Sequence, residues 1–97
     1  MKKYELTEET IQIDENKTLY RIKALKDFSD VKAGDLGGFV ESEKNLSHEG
    51  NCWIYDNAIV YDSAKILDSA CVFGYACIYG SASISGTSEI YGYARIF

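Results

Sequence analysis

Few residues of this chain could do chemistry. His48 is its one histidine, and Cys52, Cys71 and Cys77 are its three cysteines. A histidine can act as a general base, but it then needs an acceptor pocket and a donor groove beside it. A cysteine attacks as the thiolate, which calls for a cationic neighbour or a helix N-terminus. The sequence around the three thiols offers neither. There is no CxxC pair, and three cysteines with one histidine make a poor zinc set. Asp56, Asp62 and Asp68 recur at intervals of six. Such a series suggests either a metal ladder or turn residues whose carboxylates accept backbone N–H groups. The residues eighteen positions on are Gly74, Gly80 and Gly86, so no aspartate would stack on another in a coil of that length. The turn reading is therefore adopted. No catalytic, cofactor-binding or metal-ligating residue is assigned. Gly37-Gly38 lacks the surroundings of a phosphate loop, since neither GxxxxGKS/T nor GxGxxG is present.

A repeat must hold these residues in place. From Gly50 the chain reads in sixes: GNCWIY, DNAIVY, DSAKIL, DSACVF, GYACIY, GSASIS, GTSEIY, GYARIF. Position one is Gly or Asp, position three is small, and position five is Ile or Val. Positions three and five lie two apart, so in a strand both point to the same side. The Gly/Asp-x pair then turns the chain. Short strands and two-residue corners in constant alternation predict a three-sided β-solenoid with three hexads per coil, about three coils in all. Successive coils should lie one strand spacing apart, roughly 4.8 Å. No apolar stripe of period 3.6 is present, and β-branched residues dominate, which argues against α-helix.

Before the repeats, Thr10–Ile13 and Thr18–Leu25 alternate apolar and polar residues around the turn-forming Asp14–Lys17. This predicts a β-hairpin. Tyr4–Leu6 reads as a further short strand, and Glu8-Glu9 could open a helical turn instead. Residues 27–38 are dense in turn formers, and Gly34, Gly37 and Gly38 suggest positive φ or close backbone approach. Lys44–Glu49 reads as a degenerate first rung with Leu46 inward. The expected division is residues 1–40 as hairpin and Gly-rich loop capping the solenoid, and residues 41–97 as the β-helix.

The net charge of -5 argues against nucleic acid, because phosphate contacts need a basic face. Of ten basic residues, eight precede Gly50, leaving only Lys65 and Arg95 in the repeats. The start MKKYELTEET has no apolar signal region, and no apolar run approaches a membrane span. An odd cysteine count in such a chain points to reduced thiols and a cytoplasmic location.

The repeated Ala-x-Ile-x-Gly/Asp-x resembles the hexapeptide-repeat left-handed β-helix proteins. The common version places glycine directly after the aliphatic residue; here it comes one later, as in Ile78-Tyr-Gly80. The handedness is implied by the resemblance and not by the spacing. Leu19-Tyr-Arg-Ile-Lys-Ala-Leu25, Phe28 to Ser47 and Gly50-Asn-Cys-Trp-Ile-Tyr-Asp-Asn-Ala58 sharpen the match. Roughly residues 18–97 resemble a group of phage and prophage proteins related to the YdcK-like family and often labelled transferases. The group carries no assigned reaction over to this chain. Hexapeptide acyltransferases share the fold and use a histidine base near a subunit boundary, which would make His48 the candidate. An exposed or capping histidine is the expectation here.

The outward aromatics form columns at intervals of eighteen. Tyr55, Phe73 and Tyr91 make one, beside Trp53. Tyr61, Tyr79 and Phe97 make a second, and Tyr75 and Tyr93 share a corner. The third face is polar, with Ser47, Lys65 and Ser83. Aromatics on two faces of three suggest a protein interface. The expected function is a non-enzymatic, homo-oligomeric phage or prophage β-solenoid that binds a host protein, with inhibition of a host defence protein as one such role. The alternatives are an acyltransferase-like enzyme acting at a subunit boundary and a structural part of a virion.

Overall fold

A computed structural model describes residues 2–97. Two long strands come first: β1 (Tyr4–Asp14) and β2 (Lys17–Ala24). They pair antiparallel as a hairpin, with register shifts between Leu6 and Thr10 and between Gln12 and Asp14. The alternation seen in the sequence extends further than expected. Tyr4–Leu6 belongs to β1, and Glu8-Glu9 lies in the same strand, not in a helical turn.

Strand β3 (Leu36–Val40) follows. It pairs antiparallel with β2 and parallel with β5 (Ile59–Val60). One six-stranded sheet, in the order β1-β2-β3-β5-β8-β11, therefore carries both the hairpin and one face of the solenoid. Here β8 is Cys77–Ile78 and β11 is Arg95–Ile96. A second face stacks β4 (Trp53–Ile54), β7 (Cys71–Val72) and β10 (Glu89–Ile90). The third stacks β6 (Lys65–Ile66) under β9 (Ser83–Ile84), with Leu46 bridged to Ile66 below. This is a three-sided β-solenoid of about three turns. Among the described residues there is no α-helix, only a 3-10 turn at Glu43–Asn45.

The hexad sets the core. Ala58, Val60, Ala64, Ile66, Ala70, Val72, Ala76 and Ile78 are all fully buried. Small and β-branched residues alternate along each coil, so two side chains share each short strand's inward side without crowding. The corners need a left-handed residue, and Asp56, Asp62 and Asp68 take it at φ 58°, 59° and 59°. Each aspartate is anchored to the coil above: its Oδ2 accepts the N–H of Gly74, Gly80 or Gly86 at 3.0, 3.1 and 3.0 Å. The carboxylates thus serve the backbone, which offsets part of the strain of αL in a non-glycine residue.

Gly37 and Gly38 lie in β3, not in a loop. A Cβ at Gly38 would sit 2.4 Å from the Ala58 carbonyl oxygen and 2.5 Å from Ile54 Cγ2. Close approach of two backbones is the reason for glycine here.

Candidate functional site

His48 stands on the first rung, half-buried, between the hairpin and the 3-10 turn. Its ring stacks on Tyr4, with centroids 4.1 Å apart. Both nitrogens are engaged. Nδ1 accepts the backbone N–H of Lys3 at 3.1 Å, and Nε2 lies 2.7 Å from Glu43 Oε1. The Lys3 N–H can only donate, so Nδ1 carries the lone pair and Nε2 carries the proton. A carboxylate on one imidazole nitrogen is the composition of a base dyad, but the nitrogen that would take the proton is closed by the main chain. The Glu43 carboxyl is held below the usual carboxylate range, first by its bond to His48 and then by Lys2.

Below it lies a contact the sequence did not suggest. Lys3 is completely buried, and its Nζ donates to the carbonyls of Cys52 at 2.7 Å and Gly50 at 3.2 Å. Nζ is also 3.4 Å from Cys52 Sγ and 5.0 Å from the Phe28 ring centre. Burial pulls the Lys3 ammonium below its ordinary value. No periodic signal marks Lys3 or Tyr4, whose hydroxyl reaches the Leu46 carbonyl at 2.6 Å.

The thiols are all free. Cys71 and Cys77 point outward and are half-buried; burial pushes the Cys71 thiol up, which makes a poorer thiolate. Among the described residues, no group of three or more His, Cys, Asp or Glu side chains is placed to hold a metal.

Concave surface is found on the polar third face, at both of its corners. An open groove of about 610 Å³ is lined by Glu41, Ser42, Lys44, Asp62, Ser63 and Lys65. A smaller one of about 280 Å³ lies by Ser47, Glu49, Gly50, Leu67 and Asp68. The larger groove is built on the buried Asn45, whose Nδ2 donates to the Asp62 and Ala64 carbonyls at 3.2 and 2.8 Å. Its Oδ1 accepts the N–H groups of Glu41 and Ser42, fixing the turn. The groove's carboxylates are occupied. Glu41 Oε1 accepts the Asp62 N–H at 2.8 Å, and Asp62 Oδ1 pairs with Lys17 at 2.7 Å. Lys44 and Lys65 are exposed and pair with no carboxylate among the described residues.

The aromatic columns stack as their spacing requires. Tyr55–Phe73–Tyr91, Tyr61–Tyr79–Phe97 and Tyr75–Tyr93 have neighbouring centroids 4.5 to 5.3 Å apart. Trp53 does not present a free face. It is 1% exposed, edge-on to Tyr4 and Phe28, because the hairpin and its following loop close over that side of the first coil. Tyr55 is also partly covered, its hydroxyl bonded to Asp30 at 2.7 Å. Tyr61, Phe73 and Tyr79 are half-buried in their stacks. The aromatics left exposed are Tyr75, Tyr91, Tyr93 and Phe97, three of them in the last rung. No helix among the described residues is long and apolar enough to cross a membrane.

No family model matches the chain. One curated relative, an uncharacterized acetyltransferase, YdcK, from Escherichia coli (strain K12), is 49% identical over 67 residues. The match covers 61% of this chain and 21% of the relative. Fold and relative together fit a hexapeptide-repeat protein. This chain spans about a fifth of the length of the curated relative it matches. The expectation of a non-enzymatic protein is corrected by this comparison, since the relative's name is that of an enzyme, although one marked uncharacterized. The reason the sequence misled is physical. The expectation weighed the few reactive side chains of this chain, and a fold by itself does not decide activity.

Proposed function

We propose that this chain is an acyltransferase-like hexapeptide-repeat solenoid that works at a boundary between subunits. The observation that carries the reading is the 49% identity to a protein named as an acetyltransferase. In such a reaction an acceptor amine or hydroxyl attacks an acyl thioester. The acyl–sulfur bond breaks, the donor leaves as its thiol, and the acceptor's proton passes to a base. The groove of Lys44, Lys65, Ser42 and Ser63 suits the phosphates of a coenzyme A-like donor, because free ammonium groups and hydroxyls are what phosphate oxygens need. The base is a different matter. His48 is closed by Lys3, while Glu41 and Asp62 are tied to the groove's own frame. In this reading a second chain supplies the missing group. The exposed Tyr91, Tyr93 and Phe97 are the surface on which chains would meet.

Thermal-shift titration with acetyl-coenzyme A and longer acyl donors tests this directly. The expected result is a rise in melting temperature that Lys44→Glu combined with Lys65→Glu abolishes, together with transfer of labelled acetyl to an amine acceptor. A melting curve unmoved by every acyl donor overturns the reading.

A further inference from the structure

The larger groove is lined by two carboxylates and two ammonium groups, so its formal charges cancel. They are not equally free. Glu41 Oε1 accepts the Asp62 N–H at 2.8 Å, and Asp62 Oδ2 accepts the Gly80 N–H at 3.1 Å. The two oxygens that remain are taken by one residue from outside the groove. Lys17, the first residue of β2, places its Nζ 2.7 Å from Asp62 Oδ1 and 3.8 Å from Glu41 Oε2. All four carboxylate oxygens therefore face a donor or a cation. Lys44 and Lys65 pair with no carboxylate among the described residues. Ser42 Oγ accepts the Lys44 N–H at 3.3 Å, which leaves its own proton to donate, and Ser63 stands exposed across the groove.

We propose that Lys17 sets the ligand of this groove: by holding both carboxylates it leaves a site for a diphosphate group. The inference rests on the reading above in seating the donor in this groove. It narrows that donor to a free coenzyme of nucleotide type, as against an acyl arm joined to a carrier through one phosphodiester. Without Lys17, an incoming anion would meet two carboxylates at much the same range as two ammonium groups, and Coulomb repulsion would offset attraction. With Lys17, three ammonium groups stand against two carboxylates. The Lys17 ammonium is held above its ordinary value, by its bond to Asp62 first, so it stays charged throughout the neutral range.

The rest of the groove favours two phosphoryl groups over one. A space of about 610 Å³ is far more than a single phosphate fills. Lys44 with Ser42 and Lys65 with Ser63 offer an ammonium and a hydroxyl to each of two groups. The two sides are also fixed before any ligand arrives. Asn45 ties the turn carrying Lys44 to the Asp62 and Ala64 carbonyls, beside Ser63 and Lys65. Such preorganisation lowers the cost of binding. Lys17 is a positioning residue in this scheme. It touches no ligand and acts through Asp62 and Glu41.

Isothermal titration calorimetry of the whole chain with inorganic pyrophosphate gives the test, with circular dichroism confirming that each variant is folded. Pyrophosphate is expected to bind about tenfold or more tightly than inorganic phosphate. Lys17→Met should weaken pyrophosphate about tenfold or more, and Lys17→Arg should keep it. Lys17→Met/Asp62→Asn should recover most of the loss, because asparagine tolerates the left-handed corner and removes the freed charge. A lysine that only braced the hairpin would leave pyrophosphate binding per folded molecule unchanged. No pyrophosphate binding, equal binding of phosphate and pyrophosphate, or an affinity indifferent to Lys17→Met overturns the proposal. So does a double variant as weak as the single one. Acetyl-coenzyme A that binds but is not displaced by pyrophosphate overturns this inference and leaves the enzymatic reading standing. Pyrophosphate binding with no acyl-donor binding does the reverse.

Discussion

The ammonium of Lys3 lies 2.7 Å from the carbonyl oxygen of Cys52, sealed from water under the hairpin. It also holds the Gly50 carbonyl, so one side chain satisfies two main-chain acceptors at the first corner. Near Gly50 the coil has no coil below it, and Lys3 takes that place.

Replacing Lys3 with Met keeps the stem and removes the donors. Relief of lysine burial opposes the loss, but two buried carbonyls are left bare. We expect a net destabilisation of about 2 kcal/mol, hydrogen bonds to charged groups being the stronger kind. Urea denaturation of Lys3→Met against the unsubstituted chain measures it; equal or greater stability in the variant would show that the contact is dispensable.

Gly38→Ala and Gly86→Ala separate two uses of glycine. At Gly38 the added carbon would meet the Ala58 carbonyl, and the two backbones must part, at a cost of about 3 kcal/mol. Gly86 has φ +67° and open space around it, so alanine there bears only the left-handed penalty, about 1 kcal/mol. Melting temperatures should fall in that order, and the reverse order would refute the close-approach argument.

Acid should loosen the corner at Asp62. Its carboxyl is held below the ordinary aspartate range by Lys17 first, and by the Gly80 N–H as well. The native state therefore binds fewer protons than the unfolded chain in that range. The stabilisation is complete above the unfolded value of about 3.9 and is lost as pH falls through the lower folded value. Glu43 acts in the same direction through His48 and Lys2. Asp62→Asn should flatten part of the acid limb of a stability-versus-pH curve, and an unchanged slope would count against it.

His48→Ala tests whether its ring is chemistry or masonry. Its Nδ1 is filled by the Lys3 N–H and its face by Tyr4, so the loss should appear as stability, about 2 kcal/mol including the bared amide. Under the proposed reading, acyl transfer per folded molecule should be unchanged. A collapse of that rate at full folding would instead make His48 the base.

The repeats were legible because their information is local. Ala58 and Val60 point inward for the same reason as Ala76 and Ile78, and any stretch of six shows it. The hairpin was legible from the alternation at Thr18–Leu25, though β1 runs longer than its pattern because β2 supplies backbone partners as far as Tyr4. The groove on the polar face was not legible. Lys44 precedes the regular repeats and Lys65 lies within them, and only the Asn45 turn brings them to one place.

By itself, the sequence determined the coil: a small residue and a β-branched one two apart, with a left-handed corner every six, allow hardly any other closed path. Tertiary structure alone decided which outward residues are free. The repeat places Trp53 outward, and the hairpin covers it; the first rung leaves His48 open or capping, and an amide 45 residues earlier closes its lone pair. Such contacts join segments with no shared period, so they depend on where the hairpin comes to rest against the first coil.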